Sequence, residues 1–234
     1  MERCMSAVSC DEDGVAAGTA ERLFGTRLPL AERYVDLLTE HGVVRGLIGP
    51  REVDRLWSRH MLNSAVVAEL IPDEATVIDV GSGAGLPGVP LALARPDLRL
   101  TLLEPMARRV AWLTEVVAEL GIDVSIVRGR AEEPAIRQRL GQVDVVTARA
   151  VAPLAKLADW CLPLVRPSGQ LLALKGESAS EELVRDADLV RRAGGIEQSV
   201  VCCGVGVVPV PTTVIAVRRA AENPGGQRRM RKDR

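Results

Sequence analysis

The chain has 234 residues, of which 47% are hydrophobic, 26% charged and 2% aromatic, with a formal net charge of −1. Ample apolar material for a core excludes disorder as the dominant state, and no run approaches the roughly 18 uncharged apolar residues of a membrane span. Near-neutral bulk charge attracts no particular partner, so an anionic partner has to be met by a local basic patch.

The acidic, interrupted stretch Met1 to Asp13 does not read as a secretory signal, and a cytoplasmic protein is expected. Residues 1–20 read as a flexible leader. A helical extension is expected over 21–72. Leu23, Tyr34, Leu37 and Leu38 recur at helical spacing, as do Val53, Leu56, Trp57 and Leu62. Pro29 and Gly49-Pro50 divide this extension into two or three helices.

From Thr76 the grammar changes. Short apolar runs at Thr76–Val80, Arg99–Glu104, Ile122–Val127, Val143–Thr147 and Gln170–Lys175 alternate with helical patterns, the clearest being Ala107–Leu120. Such alternation predicts an α/β fold, a doubly wound, mostly parallel sheet over residues 73–219. Val200–Val208 and Thr213–Val217 predict two late strands forming an antiparallel edge. Residues 220–234 read as a flexible basic tail; from Arg218 onward there are seven basic and two acidic residues.

The strongest motif is Asp79-Val-Gly-Ser-Gly-Ala-Gly-Leu-Pro-Gly88, at the end of the first strand. Gly81, Gly83 and Gly85 permit positive φ and close approach to a ligand, and the helix that follows offers unpaired N–H groups. Glu104, nineteen residues after Gly85 at the end of the second strand, can accept both hydroxyls of a ribose. An adenosine-containing cofactor is implied. Gly83 to Gly88 also fits the dinucleotide pattern literally, so a nicotinamide-dependent oxidoreductase is one alternative; the single tyrosine, Tyr34, does not follow the loop to serve as proton donor. Asp79 followed by glycines from Gly81 favours S-adenosylmethionine, the acid helping to hold the cationic amino-acid end.

No CxxC pair occurs among the five cysteines, so no zinc or redox motif is supported and reduced thiols are expected. With few aromatics, stacking platforms for bases are not expected. Of the thirty basic residues only Lys156, Lys175 and Lys232 are lysine. Arg149 and Lys175 end their strands at the sheet edge where ligands bind in such folds. Arg149 is assigned to the cofactor carboxylate or to an incoming nucleotide, and Lys175 to the nucleotide.

These motifs together resemble the small-subunit (16S) ribosomal RNA guanine-N7 methyltransferases, historically called glucose-inhibited division protein B. The resemblance runs from about Leu30 to Val217. Arg59-His-Met-Leu-Asn-Ser64 is similar to the family's RHxLDS element, with Asn63 departing from its Asp. The Asp79 to Pro90 loop is similar to its DVGTGxGLPGxPL signature. Thr101–Glu104 with Arg108-Arg109, Ala131-Glu132, Ala148–Ala150 and Leu174–Gly176 match later elements in order.

The resemblance implies a Rossmann-like class I methyltransferase fold and S-adenosyl-L-methionine as cofactor. It implies a guanine near the decoding centre of 16S rRNA as target, in free RNA or in the small ribosomal subunit. Expected cofactor contacts are Asp79, Gly81, Gly83, Gly85, Leu86, Glu104, Ala131, Glu132 and Arg149. Expected RNA contacts are Arg59, His60, Arg108, Arg109 and Lys175. No catalytic side chain is expected, because guanine N7 carries a lone pair and no proton, and no metal is expected. The chain is expected to act as a monomer, away from membranes. The same fold could also serve a methyltransferase with a small-molecule or protein substrate, or a non-enzymatic RNA-binding module.

Overall fold

The computed structural model describes residues 14–221. The tail from 222 and the leader before Gly14 lie outside the described residues. Two helices open the fold, α1 (Gly14–Phe24) and α2 (Leu28–His41), the latter with Pro29 in its first turn. The sequence pattern puts the end of the leader at residue 20, yet α1 begins at Gly14, and Thr19 and Ala20 are buried. The helical extension therefore starts earlier than its hydrophobic period indicates. It continues through a 3-10 turn (Pro50–Arg55), a π-helical turn (Leu56–Met61) and α3 (Leu62–Ala65).

The sheet contains β1 (Thr76–Val80), β2 (Arg99–Glu104), β3 (Val124–Arg128), β4 (Val143–Arg149), β5 (Val165–Lys175), β6 (Gly195–Cys203) and β7 (Thr212–Arg219). Their order is β3-β2-β1-β4-β5-β7-β6. The first five are parallel, and β7 runs antiparallel to both β5 and β6. Between them lie α4 (Gly88–Ala94), α5 (Ala107–Leu120), α6 (Pro134–Leu140), α7 (Leu154–Cys161) and α8 (Ala179–Arg192). The chain order reverses between β1 and β4, which opens a crevice at the C-terminal ends of those strands.

Side chains alternate across the strands, so each face has its own core. Val77, Leu102, Val145, Leu172 and Val214 pack under the N-terminal helices, α4 and α5. Ile78, Leu103, Val146, Leu171 and Ile215 pack under α6, α7 and α8. Tyr34 and Leu38 of α2 are fully buried in the first core, so the extension completes one face of the sheet.

Candidate active site

The glycine loop leaves β1 at Gly81 (φ +70°), turns through Gly83 (φ +57°) and enters α4 after Gly85 (φ +111°). A Cβ at Gly81 would lie 2.7 Å from Val151 Cγ2, and one at Gly85 2.7 Å from Tyr34 Oη. The Tyr34 hydroxyl and the Trp112 indole N–H both donate to Ala84 O, at 2.9 and 2.8 Å. Burial raises the pKa of Tyr34, so it stays a donor. The single tyrosine thus holds the glycine loop from below, from a helix some fifty residues upstream.

The loop's own N–H groups are largely consumed. Gly81 and Ser82 donate to Leu103 O, Gly85 and Leu86 to Ser82 O, and Val89 to Gly85 O. Gly88 N–H donates to Asp79 Oδ2 at 3.2 Å. The unpaired donors expected at the start of α4 are therefore spent inside the protein. Asp79 itself has no exposed surface. Its other oxygen accepts the Thr147 hydroxyl at 2.9 Å. Asp79, expected at the cofactor, lies beneath the loop in this structure, with Gly88 N–H on one carboxylate oxygen and the Thr147 hydroxyl on the other. Gly83, Gly85 and Leu86 shape the same turn and line neither of the two cavities at the sheet's C-terminal edge.

Two cavities open at the sheet's C-terminal edge. The first, about 210 Å³, is lined by Gly81, Glu104, Met106, Arg109, Ala131, Glu132, Val151 and Trp160 among others. Glu104 is buried, its Oε2 accepting Gly83 N–H and its Oε1 accepting Met106 N–H, both at 2.9 Å. A carboxylate has about four acceptor sites, so roughly two remain for a diol. Arg109 Nη1 lies 4.0 Å from Glu104 Oε2. Its buried Nε has no hydrogen-bond partner among the described residues, a donor that a ligand acceptor would satisfy. Trp160, Val151 and Ala131 supply apolar wall. A ribose-bearing adenosine cofactor fits this donor set.

The second cavity, about 740 Å³, is more than three times larger. Its walls come from the 3-10 and π turns, the ends of β4 and β5, and the segment before β7. Arg55, Arg59, Arg149 and Lys175 make it basic, and Ala150 lines both cavities. Ala150 takes a left-handed φ of +53° directly after Arg149.

The expected residues separate accordingly. Arg59, His60 and Lys175 meet in the second cavity, and Arg149 joins them there rather than on the cofactor side. Arg109, expected on RNA, lines the first cavity, while Arg108 is exposed at the start of α5 and lines neither. His60 is not on a solvent face: its side chain is 8% exposed, against 52% for Arg59. Sequence reasoning misses Glu52, and also Met106, Val151 and Trp160. Only Glu52 carries a chemical signal, an acid near the motif histidine.

The family model for rRNA small subunit methyltransferase G matches residues 27–208. The chain belongs to that family. It is 58% identical over 200 residues to ribosomal RNA small subunit methyltransferase G of Rhodococcus jostii (strain RHA1), covering 86% of this chain and 88% of the relative. To the protein of the same name from Mycobacterium sp. (strain JLS) it is 52% identical over 216 residues, 92% of this chain and 96% of the relative. The fold resembles Aeropyrum pernix fibrillarin, solved with natively bound S-adenosyl-L-methionine, at a TM-score of 0.51 and 19% identity over 68% of this chain and 75% of that one. It also resembles the mitomycin 7-O-methyltransferase MmcR, at 0.55 and 19% over 80% of this chain and 60% of that one. As a methyltransferase G family member, the chain carries the expected class I methyltransferase fold, and the late strands form the antiparallel edge anticipated for them.

Proposed function

We propose that this protein transfers a methyl group from S-adenosyl-L-methionine to N7 of one guanine in 16S ribosomal RNA, near the decoding centre. One observation carries the reading: a cavity lined by the buried carboxylate of Glu104 and a larger basic cavity meet at Ala150, at the switch point of the sheet. Membership of the methyltransferase G family supports the rRNA substrate.

The cofactor, when bound, supplies an electrophilic methyl group on a sulfonium. Glu104 would hold the ribose, Ala131 and Glu132 the base, and Gly81 allows close approach. Arg109 offers its unpartnered Nε–H to an acceptor of the same ligand. On the other side, Arg149, Lys175 and Arg59 meet the nucleotide and its phosphates, with Arg108 reaching the RNA backbone from α5. Guanine N7 has no proton to lose, so no general base is needed and the protein works by holding the two reactants in line. Ala150, shared by both cavities, brings no ionisable side chain to their junction.

The protein is taken to act as a monomer in the cytoplasm, on 16S rRNA or the small subunit. Among the described residues no helix is long and apolar enough to cross a membrane. The test is incubation with labelled S-adenosylmethionine and unmethylated small subunits or free 16S rRNA, followed by mapping of the label. One N7-methylguanine in the small-subunit RNA is expected. Demonstrable cofactor binding with no transfer to either substrate overturns the rRNA assignment.

A further inference from the structure

The π-helical turn at Leu56–Met61 adds a residue to the winding and drives His60 inward while Arg59 stays exposed. The buried imidazole is held at both ends. Nε2 lies 2.6 Å from Glu52 Oε2, and Nδ1 takes a hydrogen bond from Arg149 Nη2. A guanidinium has donors only, so Nδ1 must be the acceptor and the single ring hydrogen sits on Nε2, donated to Glu52. Arg149 Nη1 in turn donates to the Ser64 hydroxyl at 3.2 Å. Glu52, His60 and Ser64 come from the extension, and Arg149 from the end of β4, one residue before the junction of the two cavities.

Chemistry gives this tether a purpose. An unrestrained arginine pairs with guanine O6 and N7 together. A donor on N7 occupies the lone pair that the methyl transfer consumes. In this structure two of the guanidinium's donors are spent on His60 and Ser64.

We propose that His60 is a positioning residue: backed by Glu52, and with Ser64, it tethers the Arg149 guanidinium at the wall of the nucleotide cavity so that the guanine N7 lone pair stays free. This rests on the N7 reading given above. Charged groups facing His60 are Glu52, Arg59 and Arg149. Burial and Arg149 lower its pKa more than Glu52 raises it, so the neutral acceptor form persists below the usual histidine range.

Two measurements test the tether. In the wild-type protein, nitrogen NMR of the imidazole is expected to show the Nε2–H tautomer at pH 7; the Nδ1–H tautomer or an imidazolium overturns the proposal. In steady-state methylation of unmethylated small subunits, His60→Ala is expected to lower kcat by roughly 100-fold, the scale of misplacing a positioning group. KM is expected to stay within about threefold, because binding remains while productive alignment is lost. His60→Gln keeps an acceptor toward Arg149 and a donor toward Glu52. It is expected to recover most of kcat and to lack the fall in rate expected of wild type as acid protonates His60. Unchanged kcat in His60→Ala, a rise confined to KM, or a Gln variant no better than Ala overturns the tether. A wild-type protein that methylates no subunit overturns the rRNA reading instead, while the tautomer still reports on the contact.

Discussion

Asp79 and Gly88 face each other across the glycine loop, the Gly88 N–H donating to Asp79 Oδ2 at 3.2 Å. A Cβ at Gly88 would come within 2.9 Å of that same oxygen, so the helix can approach the carboxylate this closely only with glycine there. The sequence motif that reads as a cofactor loop is thus also a packing motif, with its acid as the internal anchor.

Burial without a direct ion pair raises the pKa of Asp79 from 3.8 to about 7, despite hydrogen bonds from Thr147, Ser82 and Gly88 that oppose the shift. Between about pH 4 and 7 the folded chain retains a proton that the unfolded chain has released. The associated stability is fully present at low pH and is lost as pH rises through about 7. Asp79→Asn does not titrate; its amide oxygen can accept Gly88 N–H while its NH2 donates to the Thr147 hydroxyl. Its unfolding free energy relative to wild type should therefore rise across that window and level above it, by on the order of 4 kcal/mol. Denaturant titrations at several pH values check this; a pH-independent difference would contradict it.

Gly85 needs both its left-handed backbone and its empty side. Gly85→Ala should cost about 1–3 kcal/mol in backbone strain and contact with Tyr34 and Val89. That corresponds to a fall of several degrees in Tm, at roughly 2–4 °C per kcal/mol for a domain of this size. Tyr34→Phe in the same background removes the hydroxyl that the added methyl would meet, and should restore part of the loss. Thermal melts of the two single variants and the pair decide it, and simple additivity of the two losses would show that Tyr34 is not what opposes the added methyl.

Glu104 is expected to set cofactor affinity through acceptor oxygens. Glu104→Gln keeps the shape but turns one oxygen into a donor that opposes the N–H of Gly83 or Met106. The Kd for S-adenosylmethionine should rise roughly 10- to 100-fold, the worth of one or two charge-assisted hydrogen bonds. Calorimetric titration without RNA isolates this from the chemical step, and an unchanged Kd removes Glu104 from the site.

Much of this arrangement is legible in the sequence. Each parallel strand ends its apolar run near a glycine or a charged residue, so spacing alone places Glu104, Arg149 and Lys175 at the sheet edge. Which way a side chain points is harder to read. Arg108 and Arg109 are adjacent at the start of α5, and only helical phase sends one to solvent and the other beside Glu104. The burial of His60 is hidden for another reason: the 3-10 and π turns break the 3.6-residue period on which face assignment depends. The partnership of Tyr34 with the glycine loop bridges fifty residues and leaves no local pattern.

Lys175 and Glu182 form a shielded pair with Nζ to Oε1 at 3.0 Å, the side chains 13% and 12% exposed. Lys175 also donates to Ala152 O at 3.0 Å, and Glu182 accepts Leu154 N–H at 2.7 Å, so the pair ties β5 and α8 to the start of α7. The two truncations should not be equivalent. Glu182→Ala leaves a largely buried ammonium with one carbonyl partner and an unpaired helix N–H, and should cost about 3–5 kcal/mol. Lys175→Met leaves Glu182 with the Leu154 N–H and with Arg185 Nη2 at 3.8 Å, and should cost less. Because Lys175 faces the basic cavity, Lys175→Met should also weaken subunit binding, whereas Glu182→Ala, in which the ammonium is freed from its pair, should leave RNA affinity intact once corrected for the unfolded fraction. Denaturant curves with parallel RNA-binding titrations separate the two effects; equal stability losses would contradict the asymmetry of the pair, and an unaltered affinity in Lys175→Met would leave Lys175 a purely structural role.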